Sequence, residues 1–160
     1  MNKYINSEAS QHVMKLLLLG ANVQLVSGKM VYVKFTLEND IQVAYVYHIN
    51  KKNKYFLERI KPYPLPIREF DTADEVIDII QLDFHQYENA AKSRKIREFI
   101  NLNKEMHSVM KSFEDLFLYY NIPEASLNSI KENVLKAKET ILEASKSANR
   151  VFFEKDPENL

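Results

Sequence analysis

The spacing of apolar residues changes along the chain, and each change marks an element. Ile5, Ala9, Val13, Leu16 and Leu17 share one helical face, and Gly20 follows as a C-terminal stop, so a short helix is predicted over 5–19. The period then shortens to two. Val31, Val33, Phe35 and Leu37 alternate with Tyr32, Lys34 and Thr36, and Ile41, Val43, Tyr45, Tyr47 and Ile49 alternate with Gln42, Ala44, Val46 and His48. Alternation of this kind is the signature of half-buried strands. Turn residues fall between the runs, at Ser27-Gly28, Asn39-Asp40 and Asn50 to Asn53, with a further run at Tyr55 to Ile60. An antiparallel meander of three or four strands beginning near Val23 is therefore predicted. Pro62, Pro64 and Pro66 each remove a backbone donor, which restricts the next segment to an extended linker or an edge strand.

Helical spacing returns at Thr72, which forms a capping-box pair with Glu75. Asp71, Asp74, Glu75 and Asp78 gather at the positive end of that helix dipole, so their clustering needs no metal. Ile77, Ile80, Phe84, Tyr87 and Ala91 form a stripe expected to lie on the sheet. Between Ala91 and Ile96 the stripe steps by five, which turns its direction by about 140°. With no Gly or Pro in the region, the expectation is one long or gently bent helix running from 73 to 120.

Two complementary seams occupy the second half. Ile96, Phe99, Asn103, Met106, Met110, Phe113, Phe117 and Tyr120 recur at alternating steps of three and four. Leu127, Ile130, Val134, Ala137, Ile141, Ala144, Ala148 and Val151 do the same. Folding back at Asn121 to Ser126 would oppose Phe113 to Val134, Met110 to Ala137 and Phe99 to Ala148, large against small. Pro123 suits the opening of the final helix, where its missing donor is not needed. The predicted fold is α+β: a short N-terminal helix, the β-meander, and a long helix continuing into a C-terminal antiparallel helical hairpin with coiled-coil-like packing. Its predicted organisation is an α+β unit over 1–91, a hairpin over 92–153 and a frayed tail over 154–160.

Composition narrows the function classes. In 160 residues there is no Cys, which removes disulfide frameworks and thiolate metal sites and favours a cytoplasmic setting. The longest leucine run, Leu16 to Leu19, is far short of the roughly 20 apolar residues of a membrane span. The abundance of Lys, Asn and Ile hints at an AT-rich genome of bacterial or phage type. Twenty-two basic and 22 acidic side chains cancel, but residues 1–70 carry ten Lys or Arg against five Asp or Glu. That bias falls short of a dedicated nucleic-acid binder.

Chemistry-bearing motifs are scarce. Only Gly20 and Gly28 are present, too few for a phosphate-cradling loop, and no Ser occupies a glycine-flanked elbow. His12, His48, His85 and His107 never pair at helical metal spacing. Asp78, His85 and Glu88 share a helix side, where solvated charges are the simpler explanation. Asn103, the one amide in its seam, is expected opposite Ala144 as a register-setting residue. No catalytic residue, cofactor or metal is expected.

Two binding surfaces can be named. Leu102, Val109 and Leu116 repeat every seven residues beside the upstream seam, and Leu135 and Leu142 do so on the last helix. Apolar surface in excess of what one hairpin covers implies the N-terminal helix or a protein partner, most simply a second copy. The leading expectation is a non-enzymatic interaction or regulatory protein, such as an inhibitor or adaptor, that uses the hairpin. The alternative is nucleic-acid binding through Tyr32, Lys34, Lys51, Lys52 and Lys54, which would combine aromatic faces with positive charge. In that alternative Tyr45 and Tyr47 take no part, because alternation assigns them to the core.

Overall fold

The computed structural model describes residues 3–23, 28–50 and 54–160, with the side chains of residues 3–10 and 50 excepted. The order is α1 (Lys3–Leu18), β1 (Gly28–Thr36), β2 (Gln42–Asn50), β3 (Tyr55–Lys61), β4 (Leu65–Phe70), α2 (Ala73–Ala91), α3 (Ile96–Tyr119) and α4 (Glu124–Ser147). The four strands form one antiparallel sheet in the order β1-β2-β3-β4. This is the α+β fold expected from the alternation.

Turn chemistry explains the meander. Asn39 and Asp40 adopt φ of 60° and 58°, which short polar side chains tolerate better than most, and Leu37 N donates to Ile41 O at 2.8 Å to close the β1–β2 turn. The expected turns at Ser27-Gly28 and Asn50 to Asn53 fall largely outside the described residues. The proline-spaced segment becomes edge strand β4, with Pro66 opposite Glu58 beside a register shift.

One sheet face is covered by α2. Val43, Tyr45, Leu57 and Phe70 meet Val76, Ile80 and Tyr87 in the main core. The helix is fixed at its start by the capping box: Thr72 Oγ1 accepts from Glu75 N, and Glu75 Oε2 accepts from Thr72 N, both at 3.2 Å. The buried line begins at Val76, whereas Ile77 is exposed. The helix is thus rotated from the expected stripe, and this brings Ile79 and Asp83 to the edge of the sheet contact.

A single helix from 73 to 120 does not form. The chain turns at Lys92–Lys95, where Lys95 N donates to Ser93 Oγ and Ile96 N to Ser93 O, each at 3.2 Å. The five-residue step has a direct consequence: the break allows Ala91 and Ile96 both to be buried, as one regular helix would not. Ile96 and Ile100 then pack on Ile41 in a second, smaller core. Asn39 braces the junction, donating from Nδ2 to Ala91 O and accepting at its carbonyl from Arg97 Nη2.

The helices α3 and α4 follow one another across a short turn ending at Pro123, an order compatible with a hairpin. Their seams are open. Phe113 and Val134, expected to oppose each other, are 39% and 61% exposed, and Ala137, Ala144 and Ala148 are exposed as well. Asn103 does not set register against Ala144: its Nδ2 donates 2.9 Å to Phe99 O in its own helix.

Candidate functional site

Two features stand out once the fold is in place, one polar and buried, the other apolar and exposed. The polar one arises because β3 alternation points Arg59 inward, on the same face as Leu57, leaving the residue 5% exposed. A buried guanidinium requires a counter-charge. Asp83, on α2, supplies it, with Arg59 Nη1 at 2.9 Å from Oδ1 and 3.0 Å from Oδ2. Tyr45 OH donates to Asp83 Oδ2 at 2.7 Å, and the Tyr63 and Tyr87 rings lie 4.8 and 4.9 Å from the guanidinium carbon.

Burial pushes the Tyr45 phenol upward, and the Asp83 charge and hydrogen bond add to it. Tyr87 moves the same way, again mainly through burial and against the opposing charge of Arg59. For Arg59 burial works against the charge, but Tyr87, Asp83 and Tyr63 outweigh it and raise its pKa. Both phenols therefore keep their protons at neutral pH, and the cluster ties α2 to β2 and β3. A cavity of about 220 Å³ beside it is lined by Tyr63, Gln86, Tyr87 and Phe99. Arg59 Nε is buried there without a hydrogen-bond partner.

The apolar feature lies on α3 and α4. Leu102, Val109 and Leu135 are exposed, while Leu116 and Leu142 are half-buried. Around them Met110 is 66% exposed and Phe117 65%. On α1, Leu16, Leu17 and Leu18 are exposed too, as is Leu19 just beyond it.

The residues named for nucleic-acid binding are only partly brought together. Tyr32 and Lys34 are exposed on the sheet face opposite α2, with Met30 and Phe56 nearby on that face. Lys54 instead pairs with Asp71, and Lys51 and Lys52 lie outside the described residues. Tyr45 and Tyr47 belong to the core as expected. The Asp78, His85 and Glu88 group is not assembled: His85 Nδ1 lies 3.2 Å from Glu154 Oε2, and no group of three or more potential ligands is positioned for a metal among the described residues. No helix among the described residues is long and apolar enough to cross a membrane.

Comparison with known protein families, curated proteins and solved structures finds no match to this chain.

Proposed function

We propose that this is a non-enzymatic protein-association protein whose α3–α4 segment is the partner surface. The observation that supports it is the exposure of large apolar side chains along both helices, Met110 and Val134 among them. Monomeric proteins seldom expose contiguous apolar patches beyond a few hundred Å². A regulatory role as inhibitor or adaptor fits such a build, because it acts by occupying a partner and requires no reaction chemistry.

A second reading is favoured by one observation: the uncovered sheet face presents Tyr32 beside Lys34, with Phe56 elsewhere on the same face, a combination suited to stacking on unpaired bases. One capture experiment separates the two. Tagged parent should retain a stoichiometric protein, its own untagged copy included. A Met110→Glu, Val134→Glu variant with an unchanged circular dichroism spectrum should lose it. Nucleic acid retained equally by both forms would instead favour the sheet, and retention of neither class would refute the association reading.

A further inference from the structure

The α3 surface has a symmetry that points to its occupant. At 100° per residue, Phe99, Leu102, Met106, Val109, Met110, Phe113, Leu116 and Phe117 fall within an arc of about 120°. Ile96 and Ile100, the residues that dock α3 on the body, lie round the helix from the centre of that arc, so docking leaves it open.

The arc reads nearly the same in both directions about residue 108. If α3 is laid antiparallel on a copy of itself, Phe99 meets Phe117, Met106 meets Met110 and Asn103 meets Phe113. Along one flank, centred one residue further on at 109, Leu102 comes near Leu116 and Val109 near Val109, an axial offset of about 3 Å from the core register. An isologous two-fold contact requires this self-complementarity, in which residue i meets j and j meets i.

Area and charge support the same occupant. A 24-residue helix is about 36 Å long, so one face about 10 Å wide gives roughly 360 Å². The exposed apolar positions of α4, Leu127, Val134, Leu135 and Ile141, offer a second face of similar extent, so a contact that uses both helices would cover roughly 700 Å², near the 800 Å² per partner of a stable complex. The helix α3 carries three Lys or Arg against four Asp or Glu, and α4 carries four against four, so a second copy meets little net repulsion.

We infer that the partner is a second copy of this chain, joined by antiparallel pairing of α3 with α3 about a two-fold axis near residue 108, with α4 completing the contact. This rests on the association reading above and names its partner. The pairing brings the α3–α4 turn of one copy toward the sheet end of the other's α3, near Tyr63, which already contacts Phe99 edge-on with ring centroids 6.0 Å apart.

The chain's lack of Cys makes a single introduced thiol unique, so the axis can be located directly. Val109→Cys, beside its own counterpart, should give a covalent dimer with a short bis-maleimide. Ser108→Cys, one position away but on the opposite side of the helix, should not. A parent dimer in which Val109→Cys fails to cross-link, or Ser108→Cys cross-links equally, would overturn the pairing while leaving association intact. A parent that stays monomeric at every concentration would overturn the second copy as partner, and the association reading would then depend on the capture of a different protein.

Discussion

Arg59 shows how one residue constrains the elements around it. Its guanidinium is out of water, and its charge is met by Asp83 and, through Asp83, by the Tyr45 hydroxyl. Removing one partner of a buried pair leaves an uncompensated charge, whereas replacing both by apolar groups is often tolerated. Asp83→Ala should therefore cost about 3 to 5 kcal/mol in urea unfolding, and Arg59→Met with Asp83→Leu should recover most of that loss. The two tyrosines make a separate prediction about pH. Folding raises both phenols above their ordinary value of 10.0, so the unfolded chain loses these protons first as pH rises. Their contribution is present in full below pH 10 and declines above it, by up to about 1.4 kcal/mol per pH unit for each group. Unfolding midpoints measured from pH 9 to 11 should fall, and the slope should flatten in a Tyr45→Phe, Tyr87→Phe variant. A signal for this cluster was present in the sequence: Arg59 stands in the same strand phase as Leu57, where alternation calls for an apolar residue. Its counter-ion was hidden because Asp83 lies at the margin of the helix stripe and resembles one more solvated carboxylate.

Among the elements, those with strong local chemistry were the most legible. The strands followed from alternation, the β1–β2 turn from Asn39-Asp40, and the start of α2 from the Thr72–Glu75 capping box. The break between α2 and α3 was visible only as a change of phase. Without Gly or Pro, local propensity allows the helix to continue. Long-range burial of Ala91 and Ile96, together with the Ser93 hydrogen bonds, ends it instead. The rotation of α2 toward Val76 has a related origin, because Val76 and Ile77 both fit a 3.6-residue period and only packing on the sheet distinguishes them. The α3 and α4 seams were legible as amphipathic stripes, but a stripe specifies that a face be covered and not by what. In the structure each remains open, which changes the meaning of Phe113 and Val134 from an internal layer to available surface.

At the scale of the whole molecule, one end is built to be self-sufficient and the other is not. The sheet and α2 enclose a core around Tyr45 and Leu57, while α3 and α4 expose apolar residues at core spacing. Antiparallel self-pairing accounts for this with one symmetric contact. Its most direct test is the mass of the intact chain by sedimentation equilibrium over a dilution series, beside Val109→Glu. Glu at this position places two carboxylates together at the axis, yet it changes an exposed position of the single chain. The account predicts twice the chain mass for the parent and a folded monomer for Val109→Glu, with a dissociation constant more than about tenfold higher. A monomeric parent across the series, or a Val109→Glu variant that dimerises as tightly as the parent, would contradict it.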